Sequence, residues 1–282
     1  MSADSAPLVS VVMATHDIPV EFLSQSIESI QSQSFTDLEF IIVSDAPEAD
    51  EINRLLMQYS SADKRIRVYR NSEACGFPRS INRAISKARG DYVVRMDADD
   101  ISLPERLQLQ VNFMEQNPHI GISGMQAKVI DKSSQAIGKM LKPCSPDSVV
   151  AYLRHASPLI HPTYIVKREI YEQLGGYREF SPGQDYEFLI RANRIGIQIA
   201  NQPTFGIKYR VNEDSLSHRS LKRTMKMGQI MRRLVRNPRA NFSDFNQIAL
   251  DKDSTYLRKI YMLRNFFIRH SREGSALRRF CM

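Results

Sequence analysis

Between Val9 and Met114 the chain repeats one pattern: a short apolar run, a polar break, then apolar residues at helical spacing. Val9–Ala14 is β-branched and apolar, and Thr15-His16-Asp17-Ile18-Pro19 breaks it. Phe22, Leu23, Ile27 and Ile30 then fall on one face of a helix predicted over 20–33. Leu38–Val43 is a second run, ended by Ser44-Asp45-Ala46-Pro47 and followed by Ile52, Leu55 and Leu56 on a helix over 49–59. Arg65–Tyr69 alternates as a third strand, and Pro78 opens a helix carrying Ile81, Ala84 and Ile85 to Arg89, with Gly90 closing it. Asp91–Met96 is a fourth strand leading into Asp97-Ala98-Asp99-Asp100, and Pro104 starts a helix through Leu107, Val111 and Met114.

Strand alternating with helix in this way predicts an α/β fold with a Rossmann-like, mostly parallel sheet flanked by helices. Ligands of such sheets sit beyond the carboxyl ends of the strands. Three of the strands end in loops with acids: Asp17, Asp45, and the cluster from Asp97 to Asp100. No Gly-x-Gly-x-x-Gly follows the first strand, which excludes a dinucleotide-dependent dehydrogenase. Further on, 121–142 reads as strand and turn, and helices are predicted over 145–155, 168–174 (stopped by Gly175-Gly176) and 184–195.

Charge divides the chain. The formal net charge is +8, yet residues 219–282 hold 16 Lys/Arg against 4 Asp/Glu, leaving a mildly acidic body. We therefore expect a catalytic domain over 1–218 and a basic helical extension over 219–282. Cys75, Cys144 and Cys281 form no CxxC pair, so a disulfide framework and a zinc knuckle are both disfavoured, and a reducing, cytoplasmic setting fits. Residues 1–7 lack the features of a signal peptide, and no apolar stretch approaches the length of a membrane span.

Asp97-Ala98-Asp99 places two carboxylates two residues apart at a strand end. Hard oxygen ligands suit Mg²⁺ or Mn²⁺, and such ions commonly bridge carboxylates to substrate phosphates. The alternative is a solvated loop whose acids cap the next helix, and Asp100 is read in that way, as a helix N-terminal acid.

The segment 88–100, continued by Leu103-Pro104-Glu105-Arg106-Leu107, resembles the central motif of family 2 glycosyltransferases. Val9–Asp17 and Leu38–Asp45 resemble that family's first two strands and loops. Arg70-Asn71 through Gly76 to Asn82-Arg83 resembles its third element. Leu174-Gly175-Gly176-Tyr177 and Asp185-Tyr186-Glu187 resemble its acceptor-side motifs, and Tyr209-Arg210-Val211 through Ser217 the end of its catalytic domain. The resemblance spans about residues 8–218. It implies a GT-A fold and an inverting transfer of a sugar from a nucleotide sugar to a glycan or lipid-linked acceptor. The setting implied is surface polysaccharide assembly, such as O-antigen, capsule or lipopolysaccharide.

The resemblance also implies roles. Thr15, Asp17, Asp45, Gly76, Arg79, Asn82, Asp97 and Ala98 would hold the nucleotide sugar, with Asp45 at the base or ribose. Asp99, with Asp97, would bind Mn²⁺ or Mg²⁺. Asp45 also reads as a turn acid and Arg79 equally as a helix-surface residue, while Gly76 marks a backbone position needing positive φ. An inverting transfer needs a base to take the acceptor proton, and Asp185 is the candidate, its other reading being a helix-start acid. Relatives carry Glu-Asp where this chain has Gln184-Asp185, and two acids where it has Ser44-Asp45, which leaves the nucleotide open. His161 and His218 are weighed both as structural residues and as metal ligands, His161 also as lining the acceptor side.

The basic extension reads as helices packed on the catalytic domain or as a peripheral contact with an anionic membrane at its inner face. No nucleic-acid module is recognisable. Two competing functions are an Asp-x-Asp phosphatase, which would carry its motif near the first strand, and a non-catalytic nucleotide or sugar binder.

Overall fold

The computed structural model describes residues 6–179, 182–211 and 221–237, the last stretch by its backbone alone over 221–227. Its first half is the predicted alternation: β1 (Val9–Thr15), α1 (Val20–Gln31), β2 (Leu38–Ser44), α2 (Asp50–Ala62), β3 (Ile66–Arg70), α3 (Phe77–Ile85) and β4 (Tyr92–Arg95). After the short β5 (Ile101–Ser102) come α4 (Arg106–Gln116), β6 (Ile120–Ile130), β7 (Ala136–Met140), α5 (Pro146–Leu153) and a 3₁₀ turn at His161–Thr163. β8 (Ile165–Lys167), α6 (Arg168–Leu174), α7 (Gln184–Arg194), β9 (Gln198–Arg210) and α8 (Leu221–Arg236) complete the described chain.

All these strands form one sheet, ordered β3-β2-β1-β4-β8-β6-β9-β5, with β7 paired to β6. β3, β2, β1 and β4 are parallel neighbours, with Thr15 beside Ser44 and Ser44 beside Arg70. Their carboxyl ends therefore open on one side, and the loops after β1, β2, β3 and β4 meet there. β8 then runs antiparallel to both β4 and β6, whereas β6 and β9 are parallel. The predicted parallel sheet is thus realised over its first four strands and becomes mixed beyond them.

Both faces are covered, as near-continuous apolar strands require. Val9, Val11 and Met13 pack with Leu23, Ile27, Leu56 and Leu107 from α1, α2 and α4. Val12, Ile41 and Val43 pack on the other face with Ile81 and Ala84 of α3, Leu189 of α7 and Met231 of α8. α5 is capped by Ser145, whose hydroxyl accepts from the Ser148 N–H. Gly175 and Gly176 stop α6 with positive φ of 68° and 71°.

Two expectations change. α3 ends at Ile85, so Gly90 does not close it. Gly90 instead lies against β1, where an added Cβ would stand 2.7 Å from the Ser10 nitrogen. Its N–H and that of Arg89 donate to the Ser10 hydroxyl, which bonds the buried Glu39. The 13-residue β9 is absent from the sequence reading, because Asn201, Gln202, Pro203 and Gly206 interrupt any apolar alternation. It is held by long pairing with β6.

Candidate active site

The site is built where the loops after β1, β2, β3 and β4 converge. Thr15 ends β1 fully enclosed, and its hydroxyl has no partner. Asp17 is exposed. Beside it His16, which the sequence reading passed over, bonds the Asp45 carbonyl through Nδ1 at 2.8 Å.

Asp45 is buried and serves the loop after β3. Its Oδ1 accepts from Asn71 Nδ2 at 2.6 Å and from the Cys75 N–H at 2.9 Å, and its Oδ2 accepts from the Gly76 N–H at 2.8 Å. Burial alone would raise its pKa, but these donors outweigh burial and hold the carboxyl below the ordinary range. Gly76 has the positive φ expected of it, 85°, which aims its N–H at this carboxylate. The Asp45 carboxylate thus braces the 71–76 loop rather than its own Asp-Ala-Pro turn.

Arg79 and Asn82 are both engaged away from the acids. Arg79 forms an exposed pair with Glu179 at 2.7 Å, the helix-surface role. Asn82 clamps Tyr177: its Nδ2 donates to the Tyr177 carbonyl at 2.6 Å and its Oδ1 accepts from the Tyr177 N–H at 2.8 Å. The Asn82 amide, expected from sequence at the nucleotide sugar, is bonded to Tyr177 in this structure.

After β4, one oxygen from each of Asp97, Asp99 and Asp100 lies within 4.8 Å of the others. Ala98 is buried between them in sequence. Arg95, 1% exposed, pairs with Asp97 through Nη2, while its guanidinium lies 4.8 Å from the Phe77 ring centroid. Asp99 is pushed up to about 7, by burial first and then by Asp97. Asp100 departs from its expected role. α4 begins only at Arg106, so Asp100 is not a helix N-terminal acid; it is buried, and its Oδ1 accepts from the Arg210 N–H at 2.8 Å. Three hard carboxylates at one turn suit a divalent cation of the Mg²⁺ or Mn²⁺ type.

Arg210 braces this turn. Its Nε donates to the Asp99 carbonyl at 2.8 Å, its Nη2 to Gln25 Oε1 at 2.7 Å and its Nη1 to Ser134 Oγ at 3.0 Å. Its guanidinium lies 4.1 Å from the Phe22 ring centroid. Arg106, also buried, bonds the carbonyls of Arg95 and Pro162 at 2.7 Å each. None of these arginines was singled out from sequence. For Arg95 a signal exists: it precedes Asp97 by two residues at a strand end, a spacing that places both on one face.

Asp97 and Asp185 line one cavity of about 330 Å³, together with Arg95, Lys142, His161 and Gln184. Asp185 lies in the first turn of α7. Burial raises its pKa and Asp97 adds to this, while the Tyr186 N–H and Lys142 oppose; the net shift is upward. Gln184 is buried with its Oε1 unpartnered. His161 bonds the Tyr177 hydroxyl at 3.0 Å through Nε2 and packs edge-on against Phe77, Tyr164 and Tyr177. Burial, then Arg95, push its pKa well down. His161 therefore lines the cavity but stands outside the carboxylate group, the sole metal-capable cluster among the described residues. His218 lies outside the described residues.

Residues 10–175 match the sequence profile of Glycosyl transferase family 2. An uncharacterized glycosyltransferase of Methanocaldococcus jannaschii is 36% identical over 227 residues, covering 78% of this chain and 76% of the relative. The O-antigen biosynthesis glycosyltransferase WbnJ of Escherichia coli is 30% identical over 191 residues, covering 68% and 74%. Among solved structures, a mannosyltransferase from Pyrobaculum calidifontis in complex with GDP-Man and Mn²⁺ superposes with a TM-score of 0.62 at 18% identity, covering 87% of this chain and 68% of that one. The fold is accordingly GT-A, as the sequence motifs implied.

Proposed function

Because the chain belongs to glycosyltransferase family 2, we propose that it transfers a sugar from a nucleoside-diphosphate sugar to a hydroxyl of a glycan or lipid-linked acceptor, inverting the anomeric carbon. The observation that carries this reading is the cavity shared by Asp97 and Asp185, with the acid turn on one side and a raised carboxyl on the other. Its volume lies within the usual range of ligand clefts.

Asp185 takes the acceptor hydroxyl proton as that oxygen attacks the anomeric carbon. A carboxyl whose pKa is raised by burial is, in its ionised form, a stronger base than an ordinary carboxylate. Asp97 and Asp99 would hold Mn²⁺ or Mg²⁺, which when bound offsets charge on the departing nucleoside diphosphate. Arg95 keeps Asp97 fixed at the cavity wall. Asp45 acts on the nucleotide through the 71–76 loop that it ties down, and Thr15 and Asp17 stand at the neighbouring loop. The phosphatase-like alternative gains nothing from membership in this family.

Assembly of a surface polysaccharide such as an O-antigen is the setting we infer, supported by the similarity to the O-antigen biosynthesis glycosyltransferase of Escherichia coli. Among the described residues no helix is long and apolar enough to cross a membrane. α8 buries Met231 and Leu234, and Arg194 Nη2 bonds the Leu234 carbonyl at 2.6 Å. The start of the basic extension is thus packed on the domain, and we assign any contact with an anionic membrane face to residues 238–282.

Screening UDP-, GDP- and dTDP-sugars for donor hydrolysis and transfer, with and without Mn²⁺, tests the proposal. Cation-dependent turnover of one donor is expected. Turnover of none, by protein that melts cooperatively, contradicts it.

A further inference from the structure

Asp100 is enclosed to 1% exposure in a turn that already holds two other carboxylates. Its Oδ1 has a partner, the Arg210 N–H at 2.8 Å, but its Oδ2 is buried with none. A buried polar atom without a partner is unfavourable, and neighbouring like charges add to that cost. No guanidinium hydrogen-bonds this oxygen, although Arg95 and Arg106 lie near enough to offset part of the charge. Arg95 is turned to Asp97, and Arg210 spends its side chain on the Asp99 carbonyl, Gln25 and Ser134.

The turn is also braced. Arg210 is 2% exposed and fixes the Asp99 carbonyl and the Asp100 carboxylate together, while reaching α1 and the turn between β6 and β7. One face of the Asp100 carboxylate is thereby occupied by protein, and the other oxygen is left for something the protein does not supply. A hard divalent cation completes such a set, accepting oxygens from Asp97, Asp99 and Asp100 that already lie within 4.8 Å of one another.

We propose that Asp100 is a third carboxylate ligand of the cation site, bonding a divalent cation directly through Oδ2 and held in place by the Arg210 N–H. This rests on the metal-dependent reading of the site given above and extends it from the Asp97-x-Asp99 pair to a three-carboxylate set.

The test uses metal-free full-length protein without donor, titrated with Mn²⁺ alone and read by the free-Mn²⁺ paramagnetic resonance signal. Wild type, Asp99→Asn and Asp100→Asn are compared, with a thermal melt of each. Asp100→Asn is expected to weaken Mn²⁺ binding by about tenfold or more, comparable with the loss in metal affinity that even an outer-shell change brings. Its metal-free melting midpoint should hold or rise, since the amide oxygen still accepts from Arg210 and one negative charge is gone. A purely structural Asp100 would give the opposite pair: a lower metal-free midpoint and unchanged Mn²⁺ affinity. Wild-type affinity in Asp100→Asn beside a loss in Asp99→Asn overturns the proposal and leaves the metal reading standing. No Mn²⁺ binding by wild type overturns both. If Asp100→Asn does not fold, a Mn²⁺-soaked crystal of the wild type decides. A direct bond from Asp100 Oδ2, about 2.0–2.6 Å as for hard cations, supports the proposal, and an intervening water overturns it.

Discussion

Asn82 and Tyr177 are joined at both ends of one amide: Nδ2 donates to the Tyr177 carbonyl at 2.6 Å, and Oδ1 accepts from the Tyr177 N–H at 2.8 Å. This ties α3 to the Gly175-Gly176-Tyr177 turn. An added Cβ at Gly176 would stand 2.6 Å from the same Asn82 Oδ1, so the pair also accounts for the glycine. Asn82→Ala leaves two backbone groups unpaired, and we expect a loss of about 1–3 kcal/mol in urea unfolding. Turnover should fall more than donor affinity. An unchanged midpoint would show that the clamp is dispensable.

Glu39 predicts a pH dependence of stability. It is 3% exposed and bonds Ser10, the Arg89 N–H and Arg67. Burial raises its pKa, but the Ser10, Arg89 and Arg67 contacts lower it further, so the net value lies below the ordinary 4.5. A depressed carboxyl stabilises the fold above its unfolded pKa, and that contribution is lost as pH falls through the folded value. Asp63, held down to about 2 by Arg65 first, extends the loss to lower pH. Glu39→Gln should be less stable than wild type at pH 7, with the gap closing below about pH 4.5. A constant gap across that window would contradict the assignment.

The raised Asp185 predicts the acid limb of the kcat profile. The ionised form is the active base, so turnover falls as pH drops through a value above the usual carboxylate range. Lys142 lowers this pKa. Lys142→Met should therefore move the acid limb to higher pH. A limb that stays in place when Lys142 is removed would separate it from Asp185.

Vesicle sedimentation tests the extension. Since Met231 and Leu234 of α8 are buried, the informative cut falls after Asn237. The shortened chain should keep donor hydrolysis and bind anionic vesicles more weakly than the full chain. Equal binding by both would remove the membrane assignment from residues 238–282.

Much of this architecture was legible in the chain. Val9–Ala14, Leu38–Val43 and Asp91–Met96 are short runs bounded by polar breaks, and they became adjacent strands with largely buried residues. β9 was not legible, because long-range pairing with β6 overrides its poor local pattern. The acid turn was visible as Asp97-x-Asp99, but the place of Asp100 was not. Only the return of β9, 110 residues later, brings the Arg210 N–H to it. Likewise Asn82 and Asp45 carry the right chemistry for a ligand, yet tertiary contacts with Tyr177 and the 71–76 loop engage them internally. Buried arginines such as Arg95 and Arg106 look like surface residues in a sequence, since only the folded chain supplies their carbonyl and carboxylate partners.

The most direct test of the account compares donor binding with transfer in Asp185→Asn. With the donor identified by the screen and Mn²⁺ present, donor affinity should stay close to that of wild type. Turnover should drop by about 10²–10⁴-fold, the usual contribution of a positioned base. Transfer at the wild-type rate by Asp185→Asn would contradict the claim that this carboxylate takes the acceptor proton.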